Sequence, residues 1–176
     1  PDGKHIAVSV RLMRGDREVP TLTVFSLPEL NVVSRLILPG YEVPVNFMWS
    51  SNSRLVINKG IEVGDREPPQ ATGEIIAADL DGTKVEYLFG YKNISNSKRG
   101  ERYGNDYAVG LVSHIPESYD GTIMVGTHEW RRPRTNLIQI NTMNGVRHAV
   151  ADIPLPDLDF VHQNDGLARF AYGRDD

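Results

Sequence analysis

The chain has 176 residues, of which 40% are hydrophobic and 24% are charged, a balance typical of a folded globular protein rather than a disordered one. Its formal net charge of -4, without a basic stripe or an RNA-binding signature, argues against a nucleic-acid partner. Since the sequence contains no cysteine, disulfides, thiolate metal sites and a cysteine nucleophile are excluded.

A hairpin frame recurs along the chain from its first residues onward. An Asp-Gly turn at 2–3 precedes the apolar run KHIAVSV. The frame is fullest at 45–57, where an alternating apolar run meets a turn at Ser51-Asn52-Ser53 and a second apolar run follows. Because such turn residues tolerate the backbone angles of tight hairpins, each copy predicts two antiparallel strands. Further copies lie at 117–127 and 162–173. Four copies indicate that a single structural unit is repeated along the chain.

A second hairpin lies between successive copies of the first. The segments 22–36, 75–88 and 137–150 each contain an apolar strand, a turn and a strand of alternating polarity. Asp-Gly and Asn-Gly between apolar runs are strong hairpin signals. The predicted order of hairpin, loop and hairpin gives four strands in each repeat, which is typical of a β-propeller. The three turns are Pro28-Glu29, Asp81-Gly82 and Asn144-Gly145.

These repeats predict an all-β chain, a β-propeller fragment of about three and a half four-stranded antiparallel blades. No stretch shows helical periodicity. Two polar segments, 60–73 and 92–107, are predicted to be loops on the propeller rims, the first because Pro68-Pro69 cannot lie in a central strand. The expected blades span approximately residues 1–39, 40–91, 92–153 and, incomplete, 154–176.

A propeller closes by pairing its first and last blades, and three and a half blades do not close a usual ring. We therefore expect either that the rest of the ring lies in a longer protein or that an oligomer covers the open edges. The chain starts without Met and inside the repeat, which also indicates a fragment. No apolar run approaches the roughly 20 residues of a membrane span. No signal peptide is visible, and a periplasmic or secreted location is favoured over a cytoplasmic one.

The sequence contains no motif for a nucleophile, a metal or a phosphate group. Gly-x-Ser-x-Gly is absent, as are the glycine-rich phosphate motifs. Ser113 and His114 are adjacent, but neighbours on a strand point to opposite faces, so we interpret the pair as structural. The acidic run 79–82 lacks the later Glu of a calcium loop and is interpreted as a hairpin turn. No cofactor or metal site is predicted.

The histidines have no metal-ligand spacing, and ordinary strand or loop positions are expected for them. Two histidines from different blades could still converge in space. The five are His5, His114, His128, His148 and His162.

One loop, GTHEWRRPRTN at 126–136, carries a candidate substrate-binding site. A Trp beside charged groups on a loop can anchor a ligand. The alternative is that Trp130 caps the edge of a blade while the arginines are solvated. Rim loops of propellers face the central channel or a neighbouring domain, so a function is expected here. The candidate residues are His128, Glu129, Trp130, Arg131, Arg132 and Arg134.

Several frames resemble the blades of TolB-like propellers: PDGKHIAVSV, FMWSSNSRLVI with GEIIAADLDGTKVEYL, and YDGTIMVG with NLIQINTMNGVRHAV. Their spacing is more narrowly similar to the N-terminal propeller of the prolyl oligopeptidase family of serine peptidases. The late segment DFVHQNDGLARFAYGRDD is similar to a stretch of those propellers in which an Arg-containing strand follows Asp-Gly. The resemblance covers nearly the whole chain.

The resemblance implies a non-catalytic propeller portion that gates and selects peptide substrates for a C-terminal α/β-hydrolase domain. In that family the catalytic Ser, Asp and His lie on the hydrolase domain, so no residue of this chain is assigned as catalytic. Dipeptidyl-peptidase members hold the substrate amine with a Glu-Glu pair, and Glu129 stands alone here, which argues against that specificity. Two alternatives stay open, a TolB-like scaffold propeller that docks a protein partner in the bacterial envelope and a small self-contained β protein.

Overall fold

The computed structural model describes residues 2–64, 68–91 and 105–173, which form thirteen β-strands in four antiparallel sheets. In every sheet the strands follow one another in chain order. The chain is therefore all-β, a β-propeller portion of about three and a half four-stranded blades, as the repeats predict. Within those described ranges there is no helix long and apolar enough to cross a membrane.

The four sheets are numbered here in chain order. Sheet 1 contains β1 (His5–Arg14), β2 (Arg17–Ser26) and β3 (Val32–Leu36). Sheet 2 contains β4 (Glu42–Ser51), β5 (Arg54–Ile61), β6 (Gln70–Asp79) and β7 (Glu86–Phe89). Sheet 3 contains β8 (Ala108–His114), β9 (Thr122–Glu129), β10 (Thr135–Asn141) and β11 (Arg147–Ile153), and sheet 4 contains β12 (Asp159–His162) and β13 (Ala168–Tyr172).

Strand pairing confirms the predicted hairpins. β4 and β5 pair on either side of Asn52-Ser53, and β8 and β9 pair around a turn that contains Asp120-Gly121. Gly121 and Gly166 both have a φ of 90°, a backbone conformation that favours glycine, which explains why these turns carry it. The remaining predicted turns separate β2 from β3, β6 from β7, β10 from β11 and β12 from β13.

Two local predictions differ from the structure. The loop predicted at 60–73 is shorter, because Gly60 pairs with Ala71 and Ile61 with Gln70, which extends β5 and β6 into that segment. The hairpin of β1 and β2 turns at Gly15-Asp16 and was not predicted. Of the loop predicted at 92–107, residues 92–104 lie outside the described residues, and 105–107 have no regular structure.

The core explains how the sheets stack. Side chains alternate between the two faces of a strand, so one strand of sheet 2 contributes to two separate clusters. Val56 packs in the cluster shared with sheet 3, whereas its neighbours Leu55 and Ile57 pack in the cluster shared with sheet 1. Val56 and Ile57 both have no exposed surface. Sheet 2 is therefore covered on both faces, as expected for a blade between two others.

Hydrogen bonds from side chains to backbone carbonyls join successive sheets. The Ser34 hydroxyl of sheet 1 donates to the carbonyl oxygen of Leu80 at 2.6 Å. The Thr135 hydroxyl of sheet 3 donates to the carbonyl oxygen of Leu155, in the segment that leads to β12, at 2.9 Å. The Arg147 guanidinium of sheet 3 donates to the carbonyl oxygen of Leu88 in sheet 2. Each junction thus has at least one bond that fixes the position of a neighbouring backbone.

Sheet 2 also contains a buried charge cluster. The Lys59 ammonium lies 2.7 Å from a Glu42 carboxylate oxygen and 3.5 Å from a Glu74 carboxylate oxygen. The Tyr87 hydroxyl donates to the other carboxylate oxygen of Glu74. The side chains of Lys59 and Glu74 have no exposed surface. A buried ammonium is tolerated here because carboxylates neutralise it.

Candidate functional site

The candidate loop is a tight turn at one end of sheet 3. β9 ends at Glu129 and β10 begins at Thr135. Inside the turn the Arg134 N–H donates to the carbonyl oxygen of Arg132 at 2.8 Å, and the Glu129 N–H donates to the carbonyl oxygen of Arg134 at 3.2 Å. These bonds hold the backbone so that Trp130 to Arg134 project from the end of the hairpin.

Three aromatic rings meet at this turn. The Trp130 N–H donates to the carbonyl oxygen of Tyr107 at 3.0 Å. The ring centroids of Tyr91 lie 5.1 Å from Tyr107 and 5.3 Å from Trp130, and those of Tyr107 and Trp130 lie 6.5 Å apart. Trp130 and Tyr107 remain 44% and 49% exposed. We call Tyr91, Tyr107 and Trp130 the aromatic cluster, a set of edge-on and tilted contacts that leaves ring surface open to solvent.

Sequence reasoning identified Trp130 but missed the two tyrosines. Tyr91 and Tyr107 stand at the two ends of the polar segment predicted as a long loop. An aromatic residue at each end of that segment was the available signal.

The three arginines of this turn have different surroundings. The Arg131 guanidinium lies over the Tyr107 ring, 5.1 Å from its centroid, and so extends the aromatic cluster with a positive charge. Arg134 pairs instead with the Asp152 carboxylate of β11. Arg132 is exposed. The segment Arg131-Arg132-Pro133-Arg134 therefore does not form a single basic patch.

His128 and Glu129 are also separated. They are successive residues of β9, and successive strand residues point to opposite faces. The amide nitrogen of Asn136 donates to a carboxylate oxygen of Glu129 at 3.1 Å, whereas His128 Nδ1 lies 3.5 Å from a carboxylate oxygen of Asp157. The two side chains line different cavities. The structure thus brings Glu129, Trp130 and Arg131 near one another and places His128 elsewhere.

A cavity of about 490 Å³ lies beside the aromatic cluster, between sheets 2 and 3. Its charged lining consists of the carboxylates of Asp106, Glu129 and Asp152 and the guanidinium of Arg147. Arg147 donates to both carboxylate oxygens of Asp106, at 2.8 and 3.0 Å, and lies over the Phe89 ring. Arg147 and Arg134 pair with Asp106 and Asp152. Glu129, which accepts from the Asn136 amide, is therefore the carboxylate of the lining that a cationic or hydrogen-bond-donating group of a ligand would contact.

The side chains of Ser113 and His114 do not have the orientations that the sequence predicts. They were expected to point to opposite faces, but both side chains contact His162 of sheet 4. The Ser113 hydroxyl oxygen lies 2.6 Å from His162 Nε2, and the rings of His114 and His162 are stacked with centroids 5.0 Å apart. Two histidines from different blades do converge, which was the less expected alternative. Among the residues that the structure describes, no group of three or more His, Cys, Asp or Glu could hold a metal ion.

Neither a family model nor a curated protein matches the chain. A solved structure of an oligogalacturonate lyase in complex with manganese is similar to it, with a TM-score of 0.49 and 10% identity over 85% of this chain and 34% of that one. The chain thus spans about a third of the length of that protein. A similarity of this size carries no argument about function.

Proposed function

We propose that the chain is the peptide-selecting portion of a propeller in a prolyl-oligopeptidase-like serine peptidase and carries none of that enzyme's catalytic triad. The observation that supports the proposal is the aromatic cluster beside the carboxylate-lined cavity. Exposed aromatic rings offer rigid, amphipathic contact area, and a neighbouring concave site with a few charged groups fixes the orientation of a ligand.

In this proposal the apolar side chains of a peptide pack on Trp130 and Tyr107, and its terminal ammonium group is attracted by the Glu129 carboxylate of the cavity. Glu129 is placed to serve both parts, because it lines the cavity and immediately precedes Trp130. Its carboxylate is oriented by Asn136, so binding requires little further ordering of this side chain. Selection follows, since a substrate must satisfy the rings and the charges together.

Peptide binding by the 176-residue chain tests the rim site. Short peptides with free and with acetylated N termini are titrated by calorimetry. We expect the free amines to bind more tightly, Trp130→Ala to weaken both by about tenfold or more, and Glu129→Gln to weaken only the free amines. Tyr41→Ala removes another exposed aromatic ring, immediately before β4, and should have no effect. Equal affinities for free and acetylated peptides, together with no effect of Trp130→Ala, would refute the site.

The peptidase assignment has a separate test. The reading frame of the parent protein should encode a domain with Gly-x-Ser-x-Gly downstream of residue 176. If such a domain is absent and the chain captures a defined protein partner without binding peptides, the TolB-like scaffold replaces this proposal.

A further inference from the structure

A serine and a histidine from neighbouring sheets form a hydrogen-bonded pair with a defined proton position. Ser113 Oγ lies 2.6 Å from His162 Nε2, and His162 Nδ1 lies 3.0 Å from the carbonyl oxygen of Gly166. Because a carbonyl only accepts, Nδ1 carries the imidazole proton and Nε2 accepts from the serine hydroxyl. A nucleophile, a base within hydrogen-bond reach and a third group that orients the base are the arrangement of an activated serine.

Irregular strand pairing places both side chains. In sheet 3, Val112 pairs with Val125 and His114 pairs with Met124, so Ser113 is an extra residue in β8. The pairing of β12 with β13 also shifts, between Val161 and His162. Such bulges re-aim individual side chains and are common next to active sites. The two shifts explain why Ser113 and His114 reach the same imidazole.

The surroundings keep His162 uncharged. Burial lowers the pKa of His162 below its ordinary value of 6.5, the hydrogen bond to Gly166 opposes this effect, and the electrostatic influence of the nearby His114 imidazole lowers the pKa further. At neutral pH the imidazole is therefore a neutral base that can take a proton from a hydroxyl group.

Ser113 is accessible from two sides. It lines one cavity of about 470 Å³ together with Trp49 and Tyr119. It also lines a second cavity of about 440 Å³ together with Asn58 and Phe160. The linings also include His114, His128 and Asp159. The aromatic rings of Trp49, Tyr119 and Phe160 give a small uncharged ester apolar contact area beside the hydroxyl.

We propose that Ser113 is a nucleophile, activated by His162, that accepts the acyl group of small esters. Ser113 Oγ bonds to the ester carbonyl carbon as its proton moves to His162 Nε2, and the bond to the alcohol oxygen breaks with its electron pair. His162 gives the proton to the departing alcohol. Water then attacks the acyl-serine, His162 takes a proton from that water and returns it to Ser113 Oγ, and a carboxylic acid is released. This activity is independent of the rim site and of peptide binding.

The test is acetylation of the 176-residue chain by p-nitrophenyl acetate, followed by intact mass and peptide mapping. We expect one acetyl group, located on Ser113, and a burst of nitrophenolate equal to the protein concentration. Ser113→Ala should abolish the adduct, and His162→Gln should slow its formation about 100-fold. The acetylation rate of the unsubstituted chain should rise with pH as His162 loses its proton. Because the pKa of His162 lies below 6.5, the midpoint of this rise should also lie below pH 6.5.

The matched control is Ser34→Ala, because the Ser34 hydroxyl donates to the carbonyl oxygen of Leu80 and that contact supplies no base. This variant should acetylate at the original rate. Circular dichroism of each variant verifies folding, and the mapping of the unsubstituted chain does not depend on any variant. Acetylation spread over several serines and lysines, or an unchanged acetylation rate in folded His162→Gln, would overturn the proposal. The hydrogen bond between Ser113 and His162 would then have only the structural role of joining two sheets.

Discussion

Arg54 of β5 donates two hydrogen bonds, from Nε at 3.1 Å and from Nη2 at 2.8 Å, to the carbonyl oxygen of Thr142 in the next sheet. Its Nη1 donates to the Asp79 carboxylate at 2.7 Å and to the carbonyl oxygen of Lys84 at 2.8 Å. Arg54 is 1% exposed. One buried guanidinium therefore holds both a turn of its own sheet and the backbone of the neighbour.

Arg54→Met should destabilise the chain by about 3–5 kcal/mol, because it leaves the Asp79 carboxylate without this buried partner and a carbonyl without its donor. Urea unfolding followed by circular dichroism measures the loss. The matched control, Arg35→Met, removes an exposed guanidinium and should change stability by about 0.5 kcal/mol or less. Similar losses for both variants would contradict the proposed role of Arg54.

Lys59→Met should also be strongly destabilising, by about 3–5 kcal/mol, since the carboxylates of Glu42 and Glu74 would share a buried site without the ammonium. The triple variant with Glu42→Gln and Glu74→Gln removes those charges as well. It should regain much of the lost stability, which a comparison of the urea midpoints would show. A triple variant less stable than Lys59→Met would mean that charge neutralisation is not the reason for the cluster.

Acid should weaken the junction between sheets 1 and 2 through Glu62. Burial acts to raise the pKa of Glu62, but hydrogen bonds from Arg17 and Arg11 and their positive charges outweigh it and hold the pKa below its ordinary value of 4.5. As the pH falls, the Glu62 carboxylate is therefore protonated in the unfolded chain before it is protonated in the folded chain. The free energy of unfolding decreases from about pH 4.5 down to the lower pKa of the folded state. Unfolding midpoints across this range should fall less steeply for Glu62→Gln.

His162 should add a second pH dependence in a higher window. Its folded-state pKa lies below 6.5, so between that pKa and 6.5 the unfolded chain binds a proton that the folded chain does not. The contribution of neutral His162 to the free energy of unfolding is thus fully present above pH 6.5. It declines as the pH falls towards the folded-state pKa. Thermal unfolding of His162→Gln should lack this step. A step that persists in this variant would assign it to another group.

The strands could be read from the sequence because their signals are local. Turn residues such as Asp120-Gly121 and alternating apolar runs such as 45–49 act within a few positions. The end of the loop at 60–73 was misjudged because backbone pairing of Gly60 with Ala71 overrides weak strand propensity. Pairing between β5 and β6 determines where these strands end, and no single residue in the segment indicates it.

The sites were harder to predict because they join distant segments. Trp130 stood out by composition, but its contact with Tyr91 depends on how sheets 2 and 3 meet. The contact of Ser113 with His162 depends on an extra residue in β8, and a bulge leaves no distinct pattern in a short apolar strand. Adjacent strand residues were therefore assigned to opposite faces by a rule that holds only for regular pairing.

The junctions in which a side chain donates to a backbone carbonyl imply an asymmetry in mutational tolerance. Ser34 and Thr135 must keep a hydroxyl for their bonds to exist, whereas Leu80 and Leu155 contribute only a carbonyl that every amino acid possesses. A scan of all single substitutions should therefore find the donor positions restricted and the acceptor positions permissive. The acceptor residues of such blades can thus be substituted while the donor residues and the packing of the sheets are maintained.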